Sequence, residues 1–399
     1  MVDVLSGIII AAVAISDLSV FLAFAAIALG FLLLFFFWFH DVKKLLVLHR
    51  LKENPILSPI SEHWWESYAV FNPAALYDQG RVHLFYRAMG QDGVSRIGYA
   101  SSPDGIHFDE RLPSPVYSSP VEMIRSAAAH IVGRNTISYA TLSYDTASYG
   151  SGGGWGGSED PKTSKMGDRI YMTYVNNNGW SDLRIALTSI SLADFRAKRW
   201  NWTAPVFVSR RQEKRSSIKR FDIVNKSGVL LEEQINNKYI IFHRIFPNIS
   251  IDYRDTLEFG EGMYVEEHAA IPPRYDMWDN EKISMSSAPV RVPEGWLAIF
   301  NGTDARDSKY KIGAMILDAD DPSRVLYRSN QPILSPETHY ENSGKSGIAY
   351  SSGAVVVGDD LIVYYGGGDK YVAAAKANLR DFLRKLSRGE HAVLTPVGR

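Results

Sequence analysis

Val82–Met89 reads VHLFYRAM, and four later segments repeat its build: Arg169–Asn176 (RIYMTYVN), Lys238–Ile245 (KYIIFHRI), Trp296–Thr303 (WLAIFNGT) and Leu361–Gly368 (LIVYYGGG). Each is a short run of β-branched and aromatic residues bounded by turn formers, which is a strand signature. Each is followed by a strand with small residues that ends in a polar turn. Those successors begin near Ile97, Arg184, Ser250, Ile312 and Val372, with spacings of 87, 66, 62 and 60 residues. A strand pair recurring at such a period predicts repeated sheets around an axis, because one unit cannot bury both of its faces alone. A β-sandwich would not repeat its strands in this order. The expected fold is therefore all-β, a five-bladed β-propeller over residues 55–399.

Composition outside the repeat is uneven. The chain has 399 residues with 43 Lys+Arg, 44 Asp+Glu and no Cys. Residues 1–40 contain no Lys, Arg or Glu, so the remainder is almost balanced and offers no electrostatic footprint for nucleic acid. The absence of Cys excludes disulfides, thiolate metal sites and Cys nucleophiles. Leu18–Phe39 reads LSVFLAFAAIALGFLLLFFFWF, 22 residues without a charge. About 20 apolar residues span a bilayer. A transmembrane helix over 18–39 is expected, preceded by a short lead-in (1–17) and followed by a basic juxtamembrane linker (40–54). Lys43, Lys44, Arg50 and Lys52 follow the span, whereas Asp3 and Asp17 precede it. The positive-inside rule then predicts a single-pass membrane protein with its body in the cytoplasm.

A propeller gathers polar chemistry where its innermost strands meet. The strands ahead of the five recurring ones carry Asn72-Pro73, Glu159-Asp160-Pro161, Lys226, Ser286-Ser287 and Ser351-Ser352. The recurring strands add Arg87, His243, Arg244 and Asn301, with Asp369 just beyond the fifth. Acids, cations and amides from separate blades thus converge, as a pocket for a polyhydroxylated ligand requires. No spacing of His and carboxylates suited to a metal stands out.

Several long segments, in order along the chain, carry a family resemblance: FNPAALYDQGRVHLFYRA, SRIGYASSPDGIHF, GGSEDPK, GVLLEEQINNKYIIFHR, EGWLAIFNG and PILSPETHYENSG with LIVYYGGGD. Together they resemble glycoside hydrolase family 130, which contains β-mannoside phosphorylases and β-mannosidases built as five-bladed propellers. The resemblance covers roughly residues 50–385. It implies that Asp160 is the catalytic acid, acting through a hydroxyl of the bound sugar. It implies that Asn72, Arg87 and Asp369 hold the sugar at the cleaved end, with Glu159 and Asn301 also lining the substrate site. Lys226, His243 and Arg244 match the positions that bind phosphate. Two residues depart from the family pattern: Lys162 stands where Arg is usual after Glu-Asp-Pro, and Asn301 where His is usual.

Cleavage with inversion needs a general acid for the leaving oxygen and a nucleophile on the opposite face. A hydrolase needs a second carboxylate there to activate water; a phosphorylase needs cations that hold phosphate. Lys226, His243 and Arg244 favour phosphorolysis of a β-mannoside to mannose 1-phosphate, with inorganic phosphate as co-substrate and no cofactor. Glu232-Glu233 and Glu266-Glu267 are candidate bases for the alternative, a β-mannosidase. A non-catalytic membrane-anchored glycan-binding propeller is the third reading. Asp160 must be protonated to act, so burial or Glu159 is expected to raise its pKa. Trp155, in the Gly-rich run Tyr149–Gly157, is a candidate sugar-stacking lid. Arg210 to Arg220 form a basic loop between blades two and three.

Overall fold

The computed structural model describes residues 26–34, 46–120, 156–177, 183–210 and 225–389. The chain divides into two units, Met1–Leu45 and Leu46–Arg399. In the first, residues 26–34 are helical, and Phe31, Leu32 and Leu34 are more than 60% exposed. Among the described residues no helix is long and apolar enough to cross a membrane. The expected lead-in over 1–17 and the rest of the expected span, 18–25 and 35–39, lie outside the described residues. So do Trp155 and the basic loop beyond Arg210.

The second unit is all-β. Blade one comprises Ala69–Asp78, Arg81–Met89, Val94–Ser102 and the short Glu110–Arg111. Blade two comprises Gly156–Met166, Arg169–Asn177, Leu183–Ser191 and Val206–Phe207, and blade three Lys226–Leu230, Tyr239–Arg244, Ile249–Arg254 and Ala269–Ile271. Blade four has an interrupted inner strand, Lys282–Met285 then Val290–Val292, followed by Gly295–Thr303, Tyr310–Leu317 and Val325–Arg328. Blade five runs Ala349–Val357, Asp360–Gly367 and Tyr371–Asn378. Within each blade the strands pair antiparallel. The five recurring segments are the second strands of the five blades, and their successors are the third.

Strand alternation explains why the sheets close into a ring. Side chains along a strand point to opposite faces. In the second strand of blade one, Val82, Leu84 and Tyr86 pack with Ile362 and Tyr364 of blade five. Phe85, on the other face, packs with Met172 and Tyr174 of blade two. The remaining clusters join blades two and three around Ile185 and Ile241, three and four around Phe242 and Phe300, and four and five around Ile299 and Val363. Each sheet is thus apolar on both faces, and only a neighbour on each side covers it.

The outermost strand of blade five is His49–Arg50, which pairs antiparallel with Tyr371–Asn378. Residues 46–54 therefore close the ring, correcting the linker expected over 40–54. Asn54 holds the junction by donating Nδ2–H to Ala374 O (2.8 Å) and accepting from Ala374 N–H (2.8 Å). Arg50 Nε donates to the buried Glu341 Oε1 at 2.8 Å.

Candidate active site

The inner strands lose their register at one common level. Breaks fall between Phe71 and Ala74, Glu159 and Lys162, Lys226 and Val229, and Ser351 and Gly353. Blade four is interrupted between Met285 and Val290. A bulge leaves a residue unpaired and re-aims its side chain. Asn72, Asp160 and Ser227, in three of these bulges, have φ of 48°, 49° and 57°. Asn and Asp are among the few L-residues that visit this left-handed region readily. Pro73 and Pro161 follow where the ladder needs no N–H. The Asn-Pro and Asp-Pro pairs are thus backbone devices that turn two polar side chains toward the axis.

Arg87 organises what the bulges deliver. It is 1% exposed, with Nη1 3.2 Å from Asp160 Oδ1 and Nη2 3.2 Å from Glu159 Oε1. Its Nε donates to Ser95 Oγ (2.9 Å), and its plane lies 4.8 Å above the Phe71 ring. Asn72 Nδ2 donates to Asp160 Oδ1 at 2.8 Å, and Asn177 Nδ2 to Glu159 Oε1 at 2.9 Å. Both contacts on Asp160 fall on Oδ1. Burial pushes the Asp160 carboxyl up, but Arg87 and the Asn72 hydrogen bond outweigh it and hold the group below the usual carboxylate range. This corrects the expectation of a raised pKa: the Arg87 guanidinium favours the ionised form.

The other groups respond to burial in the opposite sense. Lys162 Nζ donates to Ser352 Oγ at 2.8 Å and sits 5.3 Å from the Tyr350 ring centre. Burial brings its pKa down to about 7, against the pull of Asp160. Lys226 is lowered to about 8 by burial and by the neighbouring Arg244 and Arg87, although Glu159 and Asp160 favour its charge. Asp369, with φ 51°, is raised, by burial first and then by Asp160 and Glu159. Lys345 Nζ lies 4.0 Å from it. Lys226 stands directly opposite Arg244 in the blade-three ladder. Like charges in that relation repel, and Arg244 Nε is buried with no hydrogen-bond partner among the described residues. The pair is suited to an anion.

Other sequence-selected residues are engaged elsewhere. His243 is fully buried, with Nε2 3.1 Å from Glu266 O and Nδ1 2.9 Å from the Asn225 side chain. Alternation along the strand separates it from Arg244, and burial lowers its pKa. Asn301 spends both ends of its amide on Ser351, accepting from N–H and donating to O, each at 2.8 Å. It ties blade four to blade five. Glu232 and Glu233 line a cavity with Thr163, Lys165 and Ala354, at the other ends of the inner strands from Asp160. Glu266 pairs with Arg210, and Glu267 accepts from Ser250 Oγ. Two of these four glutamates thus lie at the far ends of the inner strands, and the other two are engaged with Arg210 and Ser250. Sequence reading missed Ser95, Asn177 and Tyr350. Tyr350 precedes Ser351-Ser352 as Phe71 precedes Asn72, and that parallel was the available signal.

A propeller whose axis gathers a carboxyl cluster, amides and a cation pair has the groups that a polyhydroxylated or anionic ligand would need. The sequence model of one family, described as β-1,4-mannooligosaccharide phosphorylase, matches residues 148–388. A β-1,2-mannobiose phosphorylase of Thermoanaerobacter sp. (strain X514) is 34% identical over 344 residues, covering 82% of this chain and 96% of the relative. A 1,2-β-oligomannan phosphorylase of the same strain is 32% identical, covering 84% and 98%. The solved β-1,2-mannobiose phosphorylase of Listeria innocua superposes with a TM-score of 0.60 at 20% identity, over 85% and 99% of the two chains, a likeness of fold. The chain belongs to glycoside hydrolase family 130, and it is an enzyme.

Proposed function

We propose that this enzyme phosphorolyses a β-mannoside with inversion, releasing mannose 1-phosphate. The observation that carries the reading is the Lys226–Arg244 pair: Lys226 feels the charges of Glu159, Asp160 and Arg87, and Arg244 Nε has no hydrogen-bond partner among the described residues. Phosphate oxygen attacks the anomeric carbon, the glycosidic C–O bond breaks, and the proton from Asp160 ends on the leaving oxygen. Lys226 and Arg244 hold the dianion; Asn72, Arg87 and Asp369 hold the sugar. Asp160 is ionised before substrate binds, so it must gain its proton in the complex. Phosphate beside Lys226 supplies a reason, since a second negative charge favours the protonated carboxyl. Lys162, which feels the Asp160 charge and donates to Ser352, completes the wall. The relatives at 34% and 32% identity favour a β-1,2 linkage.

Hydrolysis is the weaker reading, because the four candidate glutamates are placed or engaged elsewhere. The deciding experiment is turnover of β-1,2- and β-1,4-mannobiose with and without phosphate. Mannose 1-phosphate formed only with phosphate is expected; equal turnover in its absence would establish the hydrolase.

We also propose that residues 18–39 anchor the enzyme in a membrane, with the propeller on the cytoplasmic side, where phosphate is abundant. The uncharged run and the exposed apolar helix over 26–34 support this. Recovery of the full chain in a carbonate wash of membranes would refute it.

A further inference from the structure

Of the three left-handed bulge residues, Ser227 is the unusual one. Asn and Asp enter that backbone region readily, but serine seldom does, and Ser227 holds φ 57° directly after Lys226. Such a conformation persists only where the surroundings hold it. Ile185 of blade two walls in the neighbouring Gly228, where an added Cβ would meet Ile185 Cγ2 at 2.7 Å. The Ser227 hydroxyl itself shares a buried hydrogen bond of 3.2 Å with the Tyr350 hydroxyl.

That bond does not join neighbouring blades. Ser227 lies on the inner strand of blade three and Tyr350 on that of blade five, with blade four between them in the ring. The Tyr350 side chain therefore reaches across the axis. Its ring packs edge-on against Tyr310 of blade four, with centroids 5.6 Å apart. The Lys162 ammonium of blade two lies 5.3 Å from the same ring centre, within reach of a cation–π attraction. One buried side chain thus meets three other blades. Burial, and then the Asp160 charge, pushes its hydroxyl up to about 12, while Arg244 pulls the other way. The phenol keeps its proton at neutral pH and feels both the acid and the cation pair.

We infer that Tyr350 is a positioning residue for the phosphate site: its hydroxyl holds Ser227 in the left-handed bulge and so sets Lys226 opposite Arg244, while its ring supports Lys162. Phosphate binding then depends on a phenol that belongs to neither cation's blade. The inference rests on the proposed function only in taking phosphate as the ligand.

The test is calorimetric titration of the full chain with inorganic phosphate, alongside mannoside kinetics and thermal melting. Tyr350→Phe keeps the ring and its contacts with Tyr310 and Lys162, and loses only the hydroxyl. It should weaken phosphate binding about fivefold, the size of one buried hydrogen bond, with mannoside KM changed by less than about twofold. Ser227→Ala should do the same. The double variant should be no worse than the weaker single one, because the two hydroxyls act through one contact. Multiplying effects would show that each hydroxyl acts alone and would overturn the inference. So would phosphate affinity unchanged in both single variants, or a rise in mannoside KM equal to the loss of phosphate affinity with a lower melting midpoint. Wild-type phosphate binding without any mannose 1-phosphate would defeat the proposed function and leave the role of Tyr350 to be read from affinity alone. Mannose 1-phosphate formation with phosphate affinity unchanged in the variants would do the reverse.

Discussion

Asp160 and Arg87 show how one contact sets the chemistry of the centre. The guanidinium keeps Asp160 ionised in the free enzyme, so the proton needed by the leaving group is present only below its depressed pKa or once substrate has shifted it. Because free-enzyme groups govern kcat/KM, that constant should fall as pH rises well before kcat does; parallel profiles of the two would sink the idea. Asp160→Asn should lower kcat about 10²- to 10⁴-fold, the range for a general acid, with phosphate affinity retained in equilibrium dialysis. The cations predict a second limb. Lys226 titrates at about 8 and Lys162 at about 7, so each is charged below its own value and neutral above it. Phosphate KM should therefore climb above about pH 8. Lys226→Met should raise it at pH 7 and remove that climb. At this scale Asp160, Arg87 and the Lys226–Arg244 pair were legible, because the strand repeat aligns them at one level. His243 and Asn301 were not: partners brought by tertiary folding, Glu266 O and the Ser351 backbone, decide what their polar atoms do.

Among the elements, the second and third strands of each blade could be read because they are buried on both faces and punctuated by turns. The inner strands were harder. Their bulges break the period of two, so the sequence assigns Asn72-Pro73 and Glu159-Asp160-Pro161 to these strands without showing that they sit at bulges inside ten- and eleven-residue strands. Two residues pairing with a partner more than 300 positions away carry no local pattern at all, which is why His49–Arg50 went unseen. The bulges make a testable element. Gly228 sits in the blade-three bulge with its Cα facing Ile185; an added Cβ would approach Ile185 Cγ2 at 2.7 Å. Gly228→Val should therefore overpack the junction of blades two and three, costing about 1–3 kcal/mol. The denaturation midpoint measures that cost. Because the same bulge carries Lys226, phosphate KM should rise with it. A loss of stability with phosphate KM unchanged would show that the bulge does not position the cation.

For the molecule as a whole, closure is the weak point of a ring built from five sheets. Each blade is covered by its neighbours, but the first and last are joined only if the chain ends meet. Leu48 N–H donates to Ile333 O at 3.0 Å, Asn54 grips Ala374, and Arg50 enters a pocket where Glu341 is buried. Burial pushes the Glu341 carboxyl up, yet Arg50, the Thr338 and Glu337 backbone N–H groups and Tyr365 hold it below the usual range. A carboxylate with a depressed folded pKa stabilises above its unfolded value, and that stabilisation is lost as pH falls through the folded one. Arg50→Ala leaves the charge buried without its cation, which costs about 3–5 kcal/mol. The loss should be largest at neutral pH and shrink on acidification toward pH 4, as Glu341 takes up a proton. Truncation separates this latch from the apolar N-terminus. A chain starting at Leu46 keeps the closing strand and should melt and turn over as the full chain does in detergent. A chain starting at Pro55 lacks it and should lose cooperative melting, together with the phosphate site. If the shorter chain melts and works like the longer one, His49–Arg50 does not hold the ring.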